Sequence, residues 1–341
     1  MRDSAGLSAS AQDAPPAPGD GAKPLRKGGR LLVLAIQAGL SGVLAYLALR
    51  GLNWESLAQM AGRQSLGFFA GAGLLSILVT LLYVIRWREV LLAMGHRVPV
   101  RNLARQVFFG IFFNNFAPSM LGQDAVKTYY LGRDTGYVAA GASVLVDKVM
   151  GLASMTLLGA ALIPLLGLTG PLFAGALTAA LLFFLACAVV LVAARLPLER
   201  LMPPFLARWA LGRRILDLAQ RGRASAGSAV TLRVLAASLA VMAASMTLQA
   251  VVYSWFLTAA TGASPGIPAL AGALCLVTTV TNMPVSINGI GVREQAHALV
   301  LAALGVPLEA AVGLSLLQYV FMLAQSLIGW GLWITRKRAT A

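Results

Sequence analysis

Two short stretches hold most of the residue types capable of chemistry. Residues 114–131 read NNFAPSMLGQDAVKTYYL, and residues 281–295 read TNMPVSINGIGVREQ. Pro118 is followed nine positions later by Lys127, and Pro284 nine positions later by Arg293. Gly122 and Gly289 lie in between, with Asn115 and Asn282 just before the prolines. Each proline removes a backbone donor and interrupts a helix, while Gly122, Gly289 and Gly291 free the chain for a tight reversal. A half-helix restarting after such a break aims its unpaired N–H groups and positive dipole end at whatever lies in front of it. Lys127 and Arg293 add full charges of the same sign. The chemistry this pattern suits is capture of an anion, and cations at opposed helix ends match phosphate oxygens.

Asp124, Asp147, Lys148 and Glu294 complete the candidate set. An ionised side chain at the bilayer centre costs about 2.5–3.5 kcal/mol on insertion scales, so these groups imply a polar, partly hydrated cavity rather than a lipid-facing surface. A purely structural reading stands beside this one. Asp124 and Lys127 are three apart and share a helix face; Asp147–Lys148 beside a span start suits a snorkelling anchor; Glu294 would neutralise Lys127 or Arg293 between halves. His297 reads as a helix-start residue before a proton relay. Gln249, Gln318 and Gln325 read as interhelical hydrogen bonds, and GFFAGAG, residues 67–73, as close helix packing.

The elements that must position these groups are membrane spans. The 341 residues are 58% hydrophobic and 11% charged, against about 25% charged in soluble domains. Several uncharged apolar stretches reach the roughly 20 residues that cross a bilayer, and the alternating segments of about 10 residues that build a barrel are missing. The fold class is all-α, a polytopic transmembrane helical bundle. The clear spans are 31–49, 66–85, 149–168, 171–194, 234–258 and 309–333. The formal charge of +15 is carried by loops beside the spans, which points to topology and anionic lipid and away from nucleic acid. Residues 1–24 form a disordered cytoplasmic tail, residues 25–335 a single transmembrane domain, and residues 195–233 a basic cytoplasmic loop between halves. Both termini are cytoplasmic on the same cation rule, with Arg86, Arg88, Arg97, Arg101 and Arg105 in the cytoplasm after the second span. Trp54, Trp87, Trp255, Trp330 and Trp333 form an interfacial belt. Cys187 and Cys275 read as small core residues, and with His96 and His297 they offer no disulfide, metal or cofactor site.

Counting crossings leaves two segments that fit no simple span. Residues 106–147 start and end inside, and residues 268–308 start and end outside. Both contain the broken stretches described above. Opposed broken segments of similar sequence are the mark of two inverted repeats with two broken or re-entrant segments.

The stretches RWREVLLAMG, FNNFAPSMLGQDAVKTYYLGR, ASVLVDKVMG and PVSINGIGVREQ…LGV resemble the transmembrane region of the lysylphosphatidylglycerol synthase family, also called flippase-like or UPF0104 proteins, over essentially all of 31–335. Family patterns read Gly-Gly-Asp with a following Arg, and Asp-Arg before the next helix. Here Gly122-Gln123-Asp124 precedes Lys127, and Asp147 precedes Lys148. Charge is kept, but a lysine does not grip phosphate bidentately. Gly289-Ile290-Gly291-Val292-Arg293-Glu294 matches the family form. The resemblance implies an inner-membrane protein that moves an anionic phospholipid or a polyprenyl-phosphate-linked glycan between leaflets. The alternative is a membrane scaffold for a separately encoded lipid- or glycan-modifying enzyme, bound through the 195–233 loop. The chain stops soon after its last span, so the soluble aminoacyl-transferase domain of the family's enzymes is not expected. An enzyme with Asp124 and Glu294 as acid and base lacks a nucleophile–base pair or metal motif, and no enzyme activity is expected.

Overall fold

The computed structural model describes residues 52–116, 122–162, 226–282 and 289–339, with isolated positions between 39 and 50 and between 164 and 189. The 1–24 tail, Pro118, Pro284, most of the spans expected at 31–49 and 171–194, and most of the basic loop fall outside the described residues. Those described form nine helices: α1 (Trp54–Gly62), α2 (Leu66–Ala93), α3 (Val100–Phe116), α4 (Gly122–Thr135), α5 (Tyr137–Leu162), α6 (Leu232–Thr261), α7 (Ile267–Thr281), α8 (Val292–Ala302) and α9 (Leu308–Ala339). Helices α2, α5, α6 and α9 are long and apolar enough to cross a membrane. The protein is all-α and polytopic.

Local sequence sets the ends of these helices. Asn53 accepts from the N–H groups of Glu55 and Ser56 at the start of α1 (both 3.1 Å), Ser65 accepts from Phe68 N–H at the start of α2 (3.1 Å), and Thr231 accepts from Val234 N–H at the start of α6 (3.3 Å). Such oxygens satisfy the amides that a helix start leaves unpaired. Four left-handed glycines stop the chain where it must turn: Gly95 after α2 and Gly262 after α6 (φ +84° and +80°), and Gly136 after α4 and Gly305 after α8 (φ +84° and +73°).

Those paired stops reveal a repeat. A long helix, a short helix, a break, a shorter helix and a second long helix occur in that order twice, as α2–α5 and again as α6–α9. The packing repeats with the same correspondence. α3 lies against α9 as α7 lies against α5, so the first arm of each broken hairpin packs on the last helix of the other half. α2 meets α6, and the other principal pairs among α2–α9 each have a counterpart. The crossings even share a contact. Phe108, ninth in α3, packs its carbonyl against Gly329 of α9, and Cys275, ninth in α7, packs on Gly159 of α5. A Cβ at Gly159 would sit 3.0 Å from Cys275 Cβ, so small residues let these backbones approach, as they do between membrane helices generally.

A large apolar cluster, including Phe68, Met246, Phe256 and Leu274, joins α6 and α7 to α2, α5 and α9, and a second, around Trp87, Leu91, Leu103 and Leu131, joins α2 to α3, α4 and α5. Polar side chains bolt helices together within them. Thr80 Oγ1 donates to Gln325 Oε1 (2.7 Å), tying α2 to α9, and Ser154 donates to Ser238 (2.9 Å), tying α5 to α6. The interhelical role expected of Gln325 holds. Within the GFFAGAG run, a Cβ at Gly71 would meet the Trp255 ring at 3.0 Å, which is the close packing expected of it.

Three expectations change. The span expected at 66–85 continues to Ala93, because Arg86 finds a carboxylate inside the bundle and does not need the cytoplasm. The helix expected from 149 starts at Tyr137, so Asp147 and Lys148 lie well inside it rather than at a span start. Trp87 is fully buried and does not belong to an interfacial belt.

Candidate functional site

A cavity of about 500 Å³ lies between the halves, lined by residues from α2 through α9. Asp124, Lys127, Asp147, Lys148, Asn282 and Arg293, six of the residues singled out from sequence, border it. The charged groups that border it are held as follows.

Arg86 and Asp147 form a two-pronged pair: Arg86 Nε donates to Asp147 Oδ1 (2.8 Å) and Nη2 donates to Oδ2 (3.2 Å). Their side chains are 11% and 6% exposed. Arg86 is seven positions from the end of α2 and Asp147 is eleventh in α5, which at 1.5 Å per residue places them about 10 and 15 Å from those helix ends. The guanidinium lies directly over Gly151 of α5, where a Cβ would collide with it. Planar two-pronged pairing is the strong form of this contact. Desolvating two charges largely cancels the gain, so the pair fixes geometry more than it adds stability.

Lys127 and Lys148 take different partners. Lys148 Nζ donates to Asp124 Oδ2 at 2.6 Å, joining α4 to α5 across 24 positions, so the local Asp124–Lys127 pair does not form. Lys127 is 9% exposed, and its ammonium sits 5.0 Å above the Trp87 ring, whose Nε1 donates to Ser143 (3.2 Å). Arg293 stacks on Tyr319 at 4.6 Å and passes 3.5 Å from the place a Cβ would occupy on Gly289. Among the described residues, no carboxylate lies in ion-pair range of Lys127 or Arg293.

The break before α8 is held by its own side chains. Gly289 and Gly291 take φ of +77° and +82°, values open to glycine. Gly291 N–H donates to Glu294 Oε2 (2.6 Å), and Ser315 of α9 donates to Glu294 Oε1 (3.3 Å). Glu294 is 4% exposed and caps its own helix instead of bordering the cavity. It already offsets the positive end of α8, so attraction for an anion falls to Arg293. His297 is fully buried. Its Nδ1 faces the Arg293 carbonyl (2.8 Å) and so donates, which leaves Nε2 to accept from the Tyr253 hydroxyl (2.6 Å). The ring ties the start of α8 to the cavity wall and has no nitrogen left for a relay.

The remaining sequence candidates sit nearby. Gly122 opens α4, and Asn115 is half-buried near the end of α3 while its neighbour Asn114 borders the cavity. Pro118 and Pro284 lie outside the described residues. Sequence reasoning missed Arg86, Tyr83 and Tyr253; the interhelical role it gave Gln249 and Gln318 holds, since they hydrogen-bond Tyr83 and Tyr253, and both also border the cavity. Arg86 carried a signal: Val79, Tyr83, Arg86, Trp87 and Val90 make one stripe at helical spacing, which the first cation after an apolar run concealed.

The sequence pattern described as "Lysylphosphatidylglycerol synthase TM region" matches residues 32–329. A UPF0104 membrane protein of Methanocaldococcus jannaschii is 32% identical over 82 residues, which is 23% of this chain and 24% of that protein. The match thus spans about a quarter of the relative's length.

Proposed function

The chain belongs to the family of the lysylphosphatidylglycerol synthase TM region, and from that premise we propose that it moves the headgroup of an anionic phospholipid or polyprenyl-phosphate-linked glycan across the inner membrane. The observation that carries this reading is the cavity at the junction of two matching helix sets, with Lys127 and Arg293 each next to a broken hairpin and lacking a carboxylate partner among the described residues. Irregular backbone at membrane depth persists where it borders protein or a wet cavity, and midplane sites between repeats are where transporters of this build bind substrate. In the proposal the halves rock to open the cavity to one leaflet and then the other. Both termini face the cytoplasm, and Asn282 and Lys148 border the headgroup beside the two unpaired cations.

The reading assigns no catalytic residue. Asp124 is engaged by Lys148 and Glu294 by its own helix start, so these two carboxyls do not form an acid–base pair in the cavity. The scaffold reading rests on the basic loop, most of which lies outside the described residues, and no contact described above favours it.

The test is translocation of fluorescent phosphatidylglycerol in proteoliposomes. Arg293→Ala is expected to lower the rate by about 10- to 100-fold, the loss of one charge-assisted contact of roughly 1.5–3 kcal/mol, with unfolding temperature retained. Wild-type rates in that variant remove the site assignment; no translocation by the wild-type protein removes the function.

A further inference from the structure

We propose that the cavity is matched to a phosphate group carrying two negative charges, a terminal phosphate monoester or a diphosphate bridge on an apolar tail, in preference to a phosphodiester or an aminoacylated headgroup. This rests on the transport reading above and narrows its substrate.

The first observation is the charge balance. Among the described residues, Arg86, Lys127, Lys148 and Arg293 border the cavity against Asp124 and Asp147, four cations to two carboxylates, a net of +2. The stretches that join α3 to α4 and α7 to α8, residues 117–121 (APSML) and 283–288 (MPVSIN), contain no charged residue. Glu294 accepts from the Gly291 amide.

The second observation is how those charges are committed. Both carboxylates are occupied, Asp147 by both prongs of Arg86 and Asp124 by Lys148 at 2.6 Å. A headgroup ammonium would have to displace one of these cations before it found a partner. Lys127 and Arg293 lie over aromatic faces, 5.0 and 4.6 Å from the ring centres, with no carboxylate in ion-pair range among the described residues. A ring face gives about 0.5–2 kcal/mol, less than a desolvated phosphate contact supplies. Two cations thus await anionic oxygens, one from each half. A phosphodiester brings one negative charge; a monoester above its second ionisation, near pH 6, brings two.

The third observation places an apolar tail. Leu75, Val79, Met155, Val277, Leu317 and Phe321 border the same cavity, which gives a hydrocarbon chain a surface that a free phosphate would leave wet.

Native mass spectrometry of the full chain, titrated at pH 8 with phosphatidic acid, phosphatidylglycerol, lysylphosphatidylglycerol and glycerol 3-phosphate, reads the preference directly. Phosphatidic acid is expected to bind at least about tenfold tighter than phosphatidylglycerol, the effect of one added charge opposite an unpaired cation, and lysylphosphatidylglycerol weakest of the lipids. Lys127→Gln and Gln318→Asp each reduce the lining charge to +1 and are expected to bring the two anionic lipids within about threefold. Should either variant fail to fold, the wild-type ranking alone decides. Equal binding of phosphatidic acid and phosphatidylglycerol overturns the inference and leaves the transport reading intact. Glycerol 3-phosphate competing as well as phosphatidic acid supports the charge match but overturns a lipid substrate. Binding of no phosphate compound overturns both.

Discussion

The two halves of this protein share a scaffold and differ in what they hang on it. Helices α2–α5 and α6–α9 repeat in order, in their glycine stops and in their packing partners. Yet among the described residues the first half brings Arg86, Asp124, Lys127, Asp147 and Lys148 to the cavity, and the second brings Arg293 as its one charged residue. The eleventh residue of α5 is Asp147; the eleventh of α9 is Gln318. Opposite them, the twenty-first of α2 is Arg86, and the twenty-first of α6 is Val252, with Tyr253 beside it. A charged pair in one half thus corresponds to neutral groups in the other. Symmetry governs the frame, where any well-packed apolar residue serves, and it lapses among the charged groups that border the cavity.

The sharpest test of that contrast is removal of its acid. Asp147→Asn leaves Arg86 buried without a countercharge and is expected to destabilise the protein by about 3–5 kcal/mol, read as a fall in unfolding temperature in detergent. Gln318→Asn at the matching position is expected to change stability by less than about 1 kcal/mol. The double change Arg86→Leu with Asp147→Leu is expected to restore most of the stability, since apolar replacement of a buried pair is often neutral. If Asp147→Asn and Gln318→Asn melt alike, the halves are equivalent after all.

Next in size is Gly151→Ala, whose methyl group would displace the Arg86 guanidinium and is expected to cost about 1–3 kcal/mol. Gly73→Ala, where a Cβ would stand 3.7 Å from Phe321, is its control and is expected to stay within about 0.5 kcal/mol by the same melting measurement.

The smallest effects separate the two half-helices. Each carries an acid as its third residue, Asp124 in α4 and Glu294 in α8. Glu294→Gln weakens a buried cap and is expected to cost about 1 kcal/mol. Asp124→Asn breaks a partly exposed pair and is expected to cost about 0.2–1 kcal/mol. Thermal melts of the two variants side by side read the difference; a larger loss for Asp124→Asn would mean that the first break depends on its acid more than the second does.

Much of this frame was written in local sequence. Long apolar runs gave the spans, and the Pro118 and Pro284 stretches marked the two interruptions because proline, glycine and charge are rare together at membrane depth. The site was only partly legible. Lys127 and Arg293 share a spacing from their prolines but not from their helices: Lys127 is sixth in α4 and Arg293 second in α8. Spacing along the chain was therefore a guide to location and not to equivalence. Arg86 was hidden because its partner lies 61 positions away, and only tertiary packing could turn an apparent loop cation into a buried one. Asp124 likewise takes a partner that local spacing could not reveal, Lys148 on the next helix, and so the structural alternative of an Asp124–Lys127 pair does not form.

The stack of Lys127 on Trp87 has a practical side. An indole's emission responds to the field of an adjacent charge, and this one is shut off from solvent with an ammonium 5.0 Å above its ring. Anything that draws that ammonium away alters the light Trp87 gives out. A ligand that engages Lys127 as proposed would therefore announce itself without a label, as a spectral change that Trp87→Phe abolishes.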